Sequence, residues 1–546
     1  MGLVRISVVL VGAASLAATF MVAPLSLVSG PTPFHAGCDG SPLPPGANYL
    51  NAKVEPRVAV NPTTPLNVVG VWQQDRWSDD GSHGLLVGVS HDGGRTWTRS
   101  FAHFSRCAGG TQANGGDYER ATDPWVSFAP NCDVYQVSLS TSPAEFASSG
   151  TLLAGPGTSA ILVSKSTDGG DTWSEPITLI RDSAPNVLND KESITADPTD
   201  STHVYAVWHR LFLPTGGAGR GGDAQPSPRP SVTSEGSRSC DGCRSHTGTS
   251  QPQGAGGARR DRGIGHGELV VGERGPTWFS RTKNGGKTWQ RARVIFDPGP
   301  ANQTMGNQIV VLPNGDLVNG FNLVVTDAQA QDVLGMRVAV IRSTNKGATW
   351  TTAIIIDALR TVGVRDPETG RPIRSGDAFP DFAVDRSSGR LYAVWQDGRF
   401  SDFRHNGIAF SSSADGGFTW STPARVNQTP LNIAPGNQQA FTPSVHVADD
   451  GTIGVTYYDL RNNTRDPVTL PTDYWLVSSR DAGETWTETH IAGPFDITTA
   501  PVAGGYFLGD YQGLASSGGS FLPFFILANS GNLDNRTDVF ATLIGR

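Results

Sequence analysis

One octapeptide, Ser/Thr-x-Asp/Asn-x-Gly-x-Thr-Trp, recurs along the chain and constrains its fold more than any other feature. The copies run Ser90–Trp97, Ser166–Trp173, Thr282–Trp289, Ser343–Trp350, Ser413–Trp420 and Ser479–Trp486. In such a segment a short Asp or Asn side chain caps a tight hairpin turn, glycine supplies the positive φ, and tryptophan opens the next strand and packs inward. At most one carboxylate at the fixed acidic position of each copy is far from a calcium cage. Each copy therefore reads as a folding device, and neither a metal nor another cofactor is expected.

A second repeat precedes each octapeptide: an apolar strand, a turn, and another apolar strand with a polar end. Its copies start near Glu55, Asp123, Lys191, Asn307, Pro380, Pro443 and Asp510, one more unit than there are octapeptides. The last unit, Tyr511 to Ile544, has room for about three strands. Residues Asn48 to Val54 are unassigned at the front, and a strand from there would complete the final sheet. Radial repetition of four-stranded sheets needs about 40 to 50 residues each. The expected fold is all-β, a seven-bladed β-propeller over residues 47–546, with six blades as the alternative.

Composition narrows the function. Lys+Arg 42 against Asp+Glu 50 gives a net charge of -8, which removes the attraction that generic nucleic-acid binding needs. Gly 66 and Pro 37 imply many turns. Arg5 followed by the small and apolar stretch Ile6–Ala23 reads as a secretory leader within residues 1–30, with Ala17, Ala18 and Ala23 as cleavage positions. A Pro/Gly-rich spacer, 31–46, would follow. The expectation is a secreted monomer with no membrane span after cleavage. Five cysteines are too few for a disulfide scaffold. Cys107 and Cys132 are near enough in sequence to staple neighbouring segments, but their pairing stays open. Cys240 and Cys243 form one CxxC, read as a local disulfide in the polar insert Thr215–Gly267, which lacks apolar periodicity.

Because first and second strands run antiparallel, the starts of the former and the ends of the latter share one face, opposite the octapeptides. Strand starts bring Glu55, Arg57, Arg120, Asp123, Asp190, Glu192, Asp377, Asp381, Asp510 and Tyr511 there. Ends of second strands add Gln73, Asp75, Arg76, His209, Arg210, Asp397, Arg399, Asp459 and Arg461. The recurring Asp-x-Arg endings also fit ion-paired turns that repeat because the sheet repeats. Residues that break the repeat carry more information. Arg57 fills a slot held by Trp125, Ser193, Gln308, Asp381, Ser444 and Gly513 elsewhere, and Tyr511 stands where proline or small residues were expected.

The octapeptides resemble the Asp boxes of the sialidase-like, or BNR-repeat, β-propeller family, and the resemblance spans about residues 50 to 546. It implies an exo-alpha-sialidase (neuraminidase) chemistry: an arginine cluster for the substrate carboxylate, a tyrosine nucleophile polarised by a glutamate, and an aspartate general acid. A guanidinium fork matches a carboxylate, and a neutral tyrosine avoids repulsion beside it. Arg57 in Pro56-Arg57-Val58 stands for the family's first arginine, without its trailing proline. Asp79 and Asp80 stand for the acid, and Tyr511-Gln512-Gly513-Leu514 for the nucleophile, without its serine. Glu192 is the candidate assisting glutamate, and Arg399 and Arg461 the further arginines, by face alone.

The expected activity is a secreted, retaining glycoside hydrolase acting on sialylated or related acidic glycans. The alternative is a non-catalytic extracellular propeller that binds glycan or protein; a xyloglucanase-type hydrolase usually pairs two propellers, more than this chain supplies. No Gly-x-Ser-x-Gly elbow, His-Glu-x-x-His or Walker loop occurs, so esterase, zinc-protease and nucleotide chemistry have no handle.

Overall fold

The computed structural model describes residues 21–40, 46–142, 157–184, 186–212, 274–327 and 332–545. The leader up to residue 20, Cys240, Cys243 and the insert Thr215–Gly267 lie outside the described residues. Among the described residues the regular structure is strand, apart from three short 3-10 turns, and no helix is long and apolar enough to cross a membrane.

Six four-stranded antiparallel meanders follow one another. The first comprises Asn48–Val60, Val68–Trp77, Ser82–Ser90 and Thr98–Ser100, and the second Arg120–Phe128, Val134–Ser142, Thr158–Ser166 and Ile177–Asp182. The third holds Val187–Ala196, Val204–Phe212, Thr277–Thr282 and Arg293–Phe296; the fourth holds Gln303–Val311, Leu317–Asp327, Asp332–Ser343 and Ile354–Leu359. Asp381–Val384, Leu391–Asp397, Gly407–Ser413 and Ala424–Arg425 make the fifth, and Ala440–Val447, Ile453–Asp459, Pro471–Ser479 and Thr487–Asp496 the sixth. These are open sheets, although the pair Ser82↔Ala121 joins the first two into one ladder.

The seventh sheet is built from both ends of the chain. Gly513–Ser517, Ser520–Ala528 and Thr537–Ala541 supply its C-terminal strands, Ser26–Leu27 pairs with the last of these, and Met21–Val22 pairs with Ile544–Gly545. The closing strand is thus not Asn48–Val54, as the sequence suggested. That segment runs straight on into the first meander, pairing Asn48 with Trp77 and Val54 with Gln73, because the second strand is long enough to hold it. Residues read as the end of a leader and a spacer also pack on the fold. The Val28 amide donates to the Val539 carbonyl at 2.9 Å, Phe34 is buried, and Cys38 bonds to Cys107. Cys107 is therefore not joined to Cys132, which is a free thiol.

Sequence explains the layering. Second strands such as Val68–Trp77, Leu391–Asp397 and Ile453–Asp459 are buried throughout, since neighbouring meanders cover both their faces; hence their near-continuous apolar runs. Fourth strands lie outermost, and Thr98–Ser100 is mostly exposed. First strands pack side by side in chain order, and that of the seventh sheet returns against that of the first. Gly70 makes one such approach possible, because a Cβ there would collide with the Phe524 ring of the seventh sheet. Octapeptide tryptophans bind each meander to the one before. Trp486 meets Phe410 edge-on at 5.1 Å, Trp350 meets Phe279 at 5.7 Å, and Trp97 meets Phe524 at 5.7 Å. Each aromatic pair is worth about 0.5–1.5 kcal/mol beyond its burial.

Candidate functional site

The octapeptides lie at one end of the meanders and the ionic residues at the other. In the first meander Ser90 pairs with Val68 at the start of the second strand, whereas Val54 pairs with Gln73 in its far half. The turns are capped as their composition predicts. Asp92 Oδ1 accepts from the Thr96 amide at 2.9 Å, and Oδ2 from the Thr96 hydroxyl at 2.6 Å. Asn284 repeats the pattern, accepting from the Thr288 amide at 3.0 Å and donating to its hydroxyl at 2.9 Å. Hydrogen bonds from Thr96 hold the Asp92 carboxyl down at about 2.

A shared irregularity of the first strands builds the opposite end. Ladder register shifts between Val54 and Arg57, Thr122 and Trp125, Asp190 and Ser193, Met305 and Gln308, and Phe441 and Ser444. These β-bulges hold left-handed residues: Glu55 at φ 55, Asp123 at φ 52, Lys191 at φ 50, Gly306 at φ 63 and Thr442 at φ 49. Only glycine adopts this region freely, and each other residue there costs about 1 kcal/mol or more. Phe379 and Tyr511 take the same place in the aligned repeats without the left-handed φ, so Tyr511 stands in the column of Glu55, Asp123 and Lys191 rather than in that of the prolines. Repeated strain that carries charge makes this end the candidate centre.

Lys191 is the hub of this centre. Its Nζ lies 2.7 Å from Asp123, 2.9 Å from Asp510 and 3.5 Å from Glu55, and 5.3 Å from the Phe379 ring centroid. Arg374 forks onto Asp510, at 3.0 Å through Nε and 2.5 Å through Nη2. Gln73 donates to Glu55 and, at 2.8 Å, to Thr122 Oγ1, while Arg76 donates to Gln73 at 2.8 Å. Gly509 lets the Asp510 loop lie on this bulge, since a Cβ there would strike the Glu55 amide. Burial is the main electrostatic cause. It pushes the Glu55 carboxyl up to about 8, with Lys191 opposing and Asp123 adding to the rise. Asp190 also rises to about 8, through burial and then Asp123.

Arg57 and Tyr511 are brought together here. The Arg57 guanidinium stacks 3.7 Å from the Trp125 centroid and 4.8 Å from that of Tyr511, and Nη2 reaches Asp381 at 3.3 Å. The Tyr511 hydroxyl donates to the Pro124 carbonyl at 3.3 Å. Burial, then Glu55 and Asp123, raise its phenol well above the usual range. Glu192 is buried nearby with neither carboxylate oxygen hydrogen-bonded. Burial followed by Asp123 holds its carboxyl well above the usual range, so it suits proton donation better than polarising a tyrosine.

The remaining candidates sit differently. Asp79 pairs with Arg120 at 2.9 Å, and Asp80 with Arg76 at 3.3 Å. Burial opposes ionisation of Asp80, but Arg76, then Arg374 and Lys191, outweigh it and hold the carboxyl below its ordinary value; a group so held is a poor general acid. Arg399 binds Asp397 at 2.9 Å and Asp357, on an outer strand, at 3.1 Å. Arg461 binds Asp459 at 2.6 Å and Glu488 at 2.7 Å, and stacks 3.6 Å from the Trp475 centroid. Arg461 thus braces its own sheet and Arg399 ties the fifth meander to the outer strand of the fourth, and neither joins Arg57.

Lys191 and Arg374 had no role in the sequence reading. Lys191 carries a signal in hindsight, because its repeat column holds Glu55 and Asp123 in the two preceding units. Arg374 lies in a long connection without a repeat partner. Cys38, His83 and Cys107 also come close together, but the two sulfurs are bonded to each other and offer no thiolate to a metal.

No protein-family model matches the chain, and no curated protein matches it. Solved structures resemble it at low identity. A Hadza microbial sialidase is 15% identical over 88% of this chain and 74% of its own, with a TM-score of 0.42. The NanB sialidase from Streptococcus pneumoniae is 10% identical over 91% and 94%, at 0.42. An α-L-arabinanase from Penicillium chrysogenum is 12% identical over 95% and 98%, at 0.40.

Proposed function

We propose that the chain is a secreted glycoside hydrolase, a seven-bladed propeller acting on sialylated or related acidic glycans at the bulge centre. The observation that carries this is the meeting of Arg57 and Tyr511 above Glu55, Asp123 and Lys191. Arg57 and Arg374 receive the carboxylate of an acidic sugar, each exchanging a protein carboxylate for it. The Tyr511 oxygen attacks the anomeric carbon as the glycosidic bond breaks, its proton passing to the Asp123 carboxylate, since Glu55 already carries a proton, and returning to the tyrosine when the intermediate is cleaved. Asp190, with a 19% exposed side chain and protonated near neutrality, donates to the departing oxygen. Water then cleaves the tyrosyl intermediate, with Asp190 as base, and anomeric configuration is retained. The disulfide Cys38–Cys107 suits an oxidising compartment.

Two observations favour a second reading, a glycan-binding propeller: both arginines already hold carboxylates, and the Tyr511 hydroxyl is spent on a backbone carbonyl. Turnover of a fluorogenic sialoside decides between them. Wild-type protein should release the fluorophore, and Tyr511→Phe should lose kcat by about a thousandfold or more. No turnover by folded wild-type protein, with sialoside binding retained in calorimetry, would establish the binding role instead.

A further inference from the structure

Lys191 departs from what a strand start requires, and its contacts are of two kinds. Asp123 and Asp510 approach it closely, at 2.7 and 2.9 Å, whereas Glu55 stays at 3.5 Å. Asp510 is shared with the Arg374 fork. Among these contacts of the described residues, three carboxyl groups from different parts of the ring face two cations. Asp123 matches Lys191 and Asp510 matches Arg374, which leaves Glu55 as the odd acid, turned toward the Gln73 amide.

We propose that Lys191 is the positioning residue of this centre, holding Asp123, Asp510 and Glu55 together in a state that carries a single shared proton, located on Glu55. The proposal deepens the hydrolase reading and rests on it only for its catalytic meaning; the proton count stands without substrate. Elsewhere around Lys191, its own strand contributes Asp190 and Glu192, and the next strand brings His209. The first meander adds Arg76 and Asp80 beyond Gln73, and the loops before the fifth and seventh sheets bring Asp377 and Tyr511. Arg57 lies beneath Tyr511. Arg76 is occupied by Asp80, so it does not neutralise Glu55 directly. Burial raises the Glu55 carboxyl, in agreement with this count. Losing the ammonium would leave three acids on one arginine, and a second proton would have to bind.

Neutral isosteres test the assignment in the full chain, read by thermal unfolding at pH 7 and by the infrared carbonyl band of buried carboxylic acids. Glu55→Gln should unfold within about 2 °C of wild type and lose one acid's worth of that band. Asp123→Asn, which leaves Glu55 and Asp510 on the two cations, should lower the midpoint beyond that and also lose one acid's worth of the band, because Glu55 ionises to replace the missing partner of Lys191. Lys191→Met, where it folds, should gain one acid's worth of the band. Equal destabilisation by Glu55→Gln and Asp123→Asn, with no change in the band for Glu55→Gln, would overturn the proposal. None of these readouts uses a sialoside, so failure of hydrolysis and failure of this assignment are separate results.

Discussion

Arg57 of the first meander and Asp381 of the fifth form an ion pair, Nη2 to Oδ1 at 3.3 Å, although 324 residues separate them in sequence. The other Asp381 oxygen accepts from the Ser444 hydroxyl and the Val445 amide, both at 2.9 Å. One carboxylate thus joins three meanders. Asp381→Asn should lower stability by about 2–3 kcal/mol, since a largely buried cation loses its counterion; urea denaturation measures it. Arg57→Lys keeps the charge but forfeits the planar stack on Trp125. For the proposed hydrolase it should raise KM for an acidic glycoside more than it lowers kcat.

The capped turns predict a contrast between two substitutions. Asp92→Ala removes the acceptor for Thr96 and should cost about 1 kcal/mol, whereas Asp92→Asn should be nearly neutral, because Asn284 and Asn345 already serve in two turns. The carboxyl is held low, near 2, so its contribution is complete above the unfolded carboxylate range and fades as pH falls toward 2. These turns face solvent, which makes each share small. Acid unfolding of Asp92→Asn should accordingly be slightly less steep between pH 4 and 2.

His209 sends an opposite kind of group into the core. Burial, then Lys191, pushes its imidazole down to about 3. The unfolded chain takes up that proton near the ordinary histidine value of about 6.5, so stability is lost as pH falls from there toward 3. His209→Gln should flatten that part of the stability–pH curve, measured by denaturant titration across the window.

The Cys38–Cys107 bridge closes a loop of sequence separation 69, for which chain entropy gives about 4 kcal/mol. Cys38→Ser, or reduction, should lower unfolding stability by up to that amount. Cys132→Ser, which touches no bridge, should leave the response to reductant as in wild type.

Local and periodic features were legible in the sequence. The octapeptide turns need only neighbouring residues, and the all-β repeat follows from alternating apolar runs. What escaped depends on register. A bulge appears only once two strands are paired, so the left-handed Glu55, Asp123 and Lys191 looked like ordinary strand starts. Arg399 and Arg461 lie on the face expected of them, but a face does not fix a distance, and Asp357 and Glu488 claim them. Arg57 and Tyr511 stood out because the repeat does not require them. The closing strand was misplaced because Ser26–Leu27 was hidden inside an apolar stretch resembling a leader.

A sheet that pairs Ser26–Leu27 with Thr537–Ala541 cannot be finished until the second of these, about five hundred residues later, has been made. The earlier meanders can mature as they emerge, but the first remains without its final neighbour until Thr537–Ala541 has been made. Until then the chain stays threadable, and its Trp97 indole, later set against Phe524, lacks that partner. The last contacts of assembly are therefore also those that tie the first meander to the seventh sheet.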